Sequence, residues 1–189
     1  MRDFADIAAD FANPYEAVGK PTQPHHFAGR AHTLRHILRV LPSVVLITGP
    51  EYLGRTSLLR FLAAPDAYDH WPATVPNKDV AWQIVTQLRR WHFFYVDLRC
   101  IQVTTDAEER LREFLKVMDE ELRALLSRLG AAPDEPGEAE TSIDLGRRIR
   151  QYLLRGPLAG KQVCLLLDSA DLFMRRSSVC QSNPQFVSW

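Results

Sequence analysis

The 189 residues, 46% hydrophobic and 24% charged, suit a globular protein with a core of its own rather than a disordered or fibrous chain. Lys+Arg and Asp+Glu balance at 23 each, which removes any bulk attraction to nucleic acid or to an anionic membrane. No apolar stretch approaches the ~20 residues of a membrane span, and the charged start Met1-Arg2-Asp3-Phe4-Ala5-Asp6 is unlike a signal peptide. The cysteines Cys100, Cys164 and Cys180 have no metal-type spacing and form no framework, so a reducing compartment, the cytoplasm by default, is expected.

Residues 1–26 read as an extended arm, with a short amphipathic piece (Phe4, Ile7, Phe11), an Asn13-Pro14-Tyr15 turn and further prolines at 21 and 24. Leu34, Ile37, Leu38 and Leu41 have helical spacing, and Pro42 stops that helix. Val44–Thr48 is an apolar, β-branched run that reads as the first strand, followed by a helix from about Gly54 to Ala64. Residues 65–78, rich in Pro, Asp and Asn, read as a loop, and Ala81, Ile84, Val85 and Leu88 mark the next helix. Phe93–Leu98 is a second buried strand. Thr105-Asp106-Ala107-Glu108 is a predicted capping box, with the Thr105 hydroxyl at the helix start and Glu108 reaching back. It opens the longest helix, striped by Leu111, Phe114, Leu115, Met118, Leu122, Leu125, Leu126 and Leu129 and ended by Gly130.

The acidic run Ala131–Glu140 reads as a mobile surface loop, and a further helix runs from Ser142 to Arg155. Val163–Leu167, apolar throughout, is the third strand and is expected to be covered on both faces, with Cys164 acting as a small buried hydrophobe. Strands alternating with helices predict an α/β domain with a parallel sheet.

Chemistry concentrates between the first strand and its helix. Gly49-Pro50-Glu51-Tyr52-Leu53-Gly54-Arg55-Thr56-Ser57 follows the phosphate-loop pattern G-x-x-x-x-G-K-[ST], with arginine in place of lysine. Glycines at 49 and 54 let the backbone curl so that its N–H groups point inward, and the helix start adds its positive end, a concavity for a di- or triphosphate. Arg55 keeps the charge of lysine but not its compact shape, so binding survives the exchange more easily than phosphoryl transfer does. The bland alternative is a tight strand–helix turn without a ligand. The third strand ends in Asp168-Ser169-Ala170-Asp171. A carboxylate at the tip of a buried strand suits Mg²⁺ held through its water shell, so Asp168 and the Thr56 hydroxyl are the candidate metal residues. The bland alternative for Asp168 is a capping aspartate at a strand end.

These motifs resemble those of P-loop ATPases of the AAA+/STAND group, including initiator-like modules, over about Asn13 to Phe173. The lead-in is similar too: Asn13-Pro14-Tyr15, then Phe27-Ala28-Gly29-Arg30 and Leu34. The resemblance implies a three-layer P-loop fold over 27–176 with a tail at 177–189. It makes Phe27, Gly29 and Arg30 base-side contacts and Gly49, Pro50, Gly54, Arg55, Thr56 and Ser57 the Walker-A positions. Asp168 matches the Walker-B aspartate and Asp171 the later acid of that motif. Ser169 stands where the family has a water-polarising glutamate, a role serine cannot fill at neutral pH. Asp171 is an uncertain substitute.

The family orders its sheet 5-1-4-3-2, and no good candidate for strand 4 follows Asp168. Without it the two half-sites would lie about 10 Å apart. The sheet is therefore expected to be incomplete, and truncation or degeneration is favoured over a self-sufficient enzyme. The expected function is an ATP- or ADP-binding, Mg²⁺-dependent regulatory switch with weak or no hydrolysis. A pseudo-ATPase interaction scaffold that binds no nucleotide is the alternative, and an active ATPase a third option. Protein partners or self-association are expected, with the Leu111–Leu129 stripe a partner surface if the sheet leaves it uncovered. His25-His26 reads as a solvated pair. Solvated helix faces account for most of Arg147, Arg148, Arg150, Arg155, Arg175 and Arg176, leaving nucleic-acid binding unsupported.

Overall fold

The computed structural model describes residues 23–41, 44–45, 47, 53–101, 106–131, 141–154, 156 and 158–170. Among them the chain is mixed α/β, with five α-helices and one two-stranded parallel sheet. It divides into two compact units, Met1–Arg90 and Trp91–Trp189, where the sequence reading had a single core over 27–176.

In the first unit, α1 (Ala31–Val40) buries Leu34 and Ile37, the centre of the expected stripe, while Leu38 and Leu41 are half-buried. The next helix, α2 (Arg55–Leu62), buries Ser57, Leu58, Leu59, Phe61 and Leu62. Helix α3 (Lys78–Leu88) starts where the Asn77 side chain accepts from the Val80 N–H at 3.0 Å, and it buries Ala81, Ile84, Val85 and Leu88 as the spacing predicts. Part of the segment read as a loop is instead core, with Ala67, Tyr68, Trp71, Pro72 and Val75 buried. Prolines 65 and 72 open two 3₁₀ turns, Pro65–Asp69 and Trp71–Thr74, which drive Tyr68 and Trp71 inward to near-complete burial. Phe61 gathers them: its ring stacks on Phe27 at 4.4 Å and meets Tyr68 and Trp71 at 5.3 and 6.0 Å. The high Pro and Asp content that suggests a solvent loop here fixes turns that aim two aromatic residues at the core.

At its described positions the expected first strand is not found. Val44, Val45 and Ile47 are in no strand, and Val44 is fully exposed, while Leu46 and Thr48 lie outside the described residues. An apolar run becomes a strand only where a neighbouring edge takes up its N–H and C=O groups.

The second unit supplies such an edge. Strand β1 (Trp91–Asp97) pairs in parallel with β2 (Gln162–Asp168), from Trp91 opposite Gln162 to Asp97 opposite Asp168. Between them in sequence lie α4 (Ala107–Arg128) and α5 (Ser142–Leu154), the helical crossover that a parallel pair requires. Phe94 and Val96 of β1 join Leu122, Leu125 and Leu126 of α4 and Ile149 and Tyr152 of α5 in one core. The α4 stripe is buried in its C-terminal half, whereas its ends, Leu111 and Leu129, are exposed. Its C-terminus closes at Gly130 as expected, with Gly130 N–H to Ser127 O and Ala131 N–H to Leu126 O, each 3.0 Å. Coverage of β2 falls short of the expectation: Val163, Cys164 and Leu165 are half-buried, and Leu167 is 40% exposed.

The start of α4 differs from the expected capping box, while α5 begins at Ser142 as expected. The α4 cap is Asp106, whose carboxylate accepts from the Glu108 N–H at 2.9 Å, and Glu108 itself accepts from the Ser142 hydroxyl. Thr105 lies outside the described residues. The reciprocal box is at α5: the Asp144 N–H donates to the Thr141 hydroxyl oxygen at 3.2 Å, and the Thr141 N–H reaches the Asp144 carboxylate at 3.4 Å. Arg148, read among the solvated arginines, instead grips Asp119 of α4 through Nε and Nη2, both at 2.8 Å. This bidentate pair, with Asp119 only 3% exposed, locks α4 to α5.

Candidate functional site

The first candidate region is the turn into α2. Gly54 has φ +71°, a conformation that only glycine adopts without strain, and the first helical bond runs from Leu58 N–H to Gly54 O at 3.0 Å. The N–H groups of Arg55, Thr56 and Ser57 therefore precede the helical ladder. No side chain caps this end, and its first turn holds no acidic residue. The usual complement of a helix start is negative charge; here it is an arginine, Arg55.

A second arginine reaches the same turn. The Arg30 guanidinium donates to the Leu53 carbonyl, and a Cβ on Gly54 would stand 3.1 Å from Arg30 Nη2. Glycine at 54 is thus favoured by its left-handed backbone, and a larger residue would also press the Arg30 fork to shift slightly. Gly29 and Arg30 are both left-handed, with φ of 65° and 56°. For arginine that conformation costs about 1–3 kcal/mol and needs external support. Gly29 is held from both sides: its carbonyl accepts from the Trp71 indole at 2.8 Å, and its N–H donates to the Thr74 hydroxyl at 3.2 Å. The Thr74 hydroxyl donates in turn to the Trp71 carbonyl at 2.8 Å. Trp71 and Thr74 belong to the segment read as a loop, so the reading had no means to assign them this support.

Of the residues expected at this region, the structure brings Gly29, Arg30 and Gly54 together. Thr56 is half-buried and Ser57 buried on the first turn of α2. Phe27, expected beside a base, is 5% exposed and stacked on Phe61, so it supports the segment from the core and presents no free ring face. Gly49 and Pro50 lie outside the described residues, as does Asp171.

The second candidate region is the pair of strand tips in the other unit. Asp168 is 6% exposed, and both its oxygens are engaged. Oδ2 accepts from the Tyr95 hydroxyl at 2.7 Å and Oδ1 from the Ser169 N–H at 2.8 Å. Ser169 itself sits in the left-handed region, at φ +60°. Asp97, opposite Asp168 in the register, accepts from Arg99: Nε at 3.0 Å to Oδ1 and Nη2 at 2.6 Å to Oδ2. The guanidinium of Arg99 is held above its ordinary value, first by that hydrogen bond, then by the charge of Asp97, with smaller contributions from Asp168 and Tyr95.

Each Asp168 oxygen keeps a lone-pair direction beyond the bond it already accepts. That donor chemistry fits a hard divalent cation approached through its water shell and does not favour direct bidentate ligation. Among the described residues, no cluster of three or more His, Cys, Asp or Glu side chains could enclose a metal by itself, and His25 pairs with Asp66 at 3.3 Å.

The residues missed in the sequence, Tyr95, Asp97 and Arg99, carried one signal. Both buried strands end in aspartate, and aligning the two ends puts Tyr95 two positions before the tip. Among the described residues no helix is long and apolar enough to cross a membrane. No family model, curated protein or solved structure matches the chain.

Proposed function

We propose that the chain is an ATP- or ADP-binding P-loop module of AAA+/STAND type, with a three-layer fold, acting as a regulatory switch with slow or absent hydrolysis. The observation that carries this reading is the start of α2. A left-handed glycine opens a helix whose uncapped first turn has no acid and begins with Arg55, while Arg30 reaches the same turn. The N–H groups that precede the helical ladder, with the Arg30 fork beside them, suit an anion, and a polyphosphate is such an anion.

In this reading Gly49–Ser57 cradle the phosphates, and Gly29 and Arg30 border the nucleotide from the lead-in. Thr56 and Asp168 are each the candidate Mg²⁺ residue of their own unit, and the cation would supply charge neutralisation along a phosphate chain. Arg55 in place of lysine and Ser169 in place of glutamate leave binding with little turnover.

Titration with a fluorescent ATP analogue tests it. Saturable binding that weakens without Mg²⁺ and in Asp168→Ala is expected, with phosphate release near background. Absence of saturable binding in both conditions overturns the proposal. A second reading, an interaction scaffold that binds no nucleotide, is favoured by one observation: both oxygens of Asp168 are already satisfied by the protein's own donors. The same titration separates the two.

A further inference from the structure

We infer that the exposed face of α5 is a docking stripe for an acidic amphipathic helix of a partner protein. The inference uses the second unit alone and is independent of the nucleotide reading.

Helix α5 turns one side to its own unit, where Leu145, Ile149 and Tyr152 are buried. The bidentate pair of Arg148 with Asp119 ties the helix to α4. On the side away from that core stand Ile143, Arg147, Arg150 and Leu154, all exposed. Their spacing of four, three and four residues keeps them within an arc of about 60° over about 16 Å of helix. Ile143 is 70% and Leu154 61% exposed, so two large aliphatic side chains meet water at the two ends of one stripe. Between them the charge is positive. Arg147 pairs with Asp144 at 3.2 Å while 72% of its side chain remains exposed, a surface contact that a partner can replace at little cost.

The order apolar, basic, basic, apolar selects the occupant. It reads the same in both directions, so a second copy laid along it, parallel or antiparallel, would set arginine against arginine. Like charges facing across a contact oppose pairing, which argues against this chain as its own partner here. Nucleic acid is disfavoured as well, because the stripe offers no aromatic ring on which a base could stack. A helix with aliphatic side chains at the same separation and carboxylates at the two positions between them answers all four residues. Its ends would cover Ile143 and Leu154, and its carboxylates would bond the two guanidinium groups.

The test is fluorescence polarisation of the full chain with a labelled helical peptide of about 20 residues carrying leucines and glutamates at this spacing. The comparisons are the same peptide with glutamine for glutamate, a single-stranded oligonucleotide and phosphatidylserine vesicles. Saturable binding of the glutamate peptide is expected. Ile143→Ala and Leu154→Ala should each weaken it about fivefold or more. Arg147→Glu together with Arg150→Glu should weaken it by on the order of a hundredfold. A lysine-bearing peptide should then bind that charge-reversed chain, a readout that a merely structural role of the arginines would not give. Far-ultraviolet circular dichroism establishes that each variant is folded. Failure of the glutamate peptide to bind, equal binding of the glutamine peptide, or binding that survives charge reversal overturns the proposal. So does tighter binding of the oligonucleotide or the vesicles, or a loss on charge reversal that the lysine peptide does not restore.

Discussion

Val44–Ile47 and Val163–Leu167 look alike in composition, yet the first is in no strand at its described positions and the second lies in a parallel pair. The difference is the neighbour. Strand β1 takes the backbone groups of β2, and α4 and α5 cover the face that carries Phe94 and Val96. Val44 has no such cover and stands fully exposed. Apolar composition supplies the tendency to form a strand, and a partner edge decides whether the tendency is realised.

The contrast breaks if the same charge has the same effect in both regions. Val96→Asp places a carboxylate at a position with no solvent access and is expected to cost on the order of 5 kcal/mol, unfolding the second unit. Val44→Asp should change stability by no more than ~0.5 kcal/mol. Denaturant melts of the two variants give the answer directly.

A second comparison sets the ion pairs of the two units against each other. Asp119→Ala takes the buried carboxylate from Arg148 between α4 and α5 and should cost about 3–5 kcal/mol. Asp69→Ala removes the exposed partner of Arg89 and should cost at most ~1 kcal/mol. Similar losses in both would show that burial is not what distinguishes these pairs.

The aromatic core of the first unit has its own pH signature. Burial first, and the charge of Asp66 second, raise the Tyr68 hydroxyl above its ordinary value of 10.0. The folded state thus favours the protonated phenol. Its contribution is complete below pH 10 and is lost as the pH climbs from there toward the folded value. Alkaline melts should show stability falling above pH 10, and Tyr68→Phe should flatten that fall while losing the bond to the Leu62 carbonyl.

A modest effect is expected at the start of α5. Thr141→Ala should cost about 1 kcal/mol through its cap. The Thr141 hydroxyl, followed by its N–H, also holds the Asp144 carboxyl below its ordinary 3.8. That contribution is present above pH 3.8 and disappears as the pH falls below it, so Thr141→Ala should also lessen the acid sensitivity of the unit in melts between neutral and acid pH.

Regular spacing was legible where a buried face repeats over several turns. Ala81, Ile84, Val85 and Leu88 and the middle of the Leu111–Leu129 stripe fall where expected, and both strands of the sheet are placed within two residues. Caps were less legible, because Thr105 and Asp106 are adjacent oxygen-bearing candidates and one residue of offset decides which carboxylate or hydroxyl meets an amide. Tyr68 and Trp71 were hidden by the prolines and acids around them. Of the candidate site, the special backbone at Gly54 could be read from the motif. The Trp71 and Thr74 support of Gly29 and the Tyr95 bond to Asp168 depend on pairings 42, 45 and 73 residues apart, which no local pattern records.

The pairing of β1 with β2 has no offset at its last rung, where two aspartates stand level. Adding one residue within β2 would turn every later side chain to the opposite face and present leucine where the acid now stands, and removing one would present Ser169 there. The crossover between the strands, by contrast, can lengthen at its loops without disturbing that rung. Inherited insertions and deletions should therefore gather outside 162–168, and a graft of this acidic rung into another scaffold would need to copy the strand length before anything else.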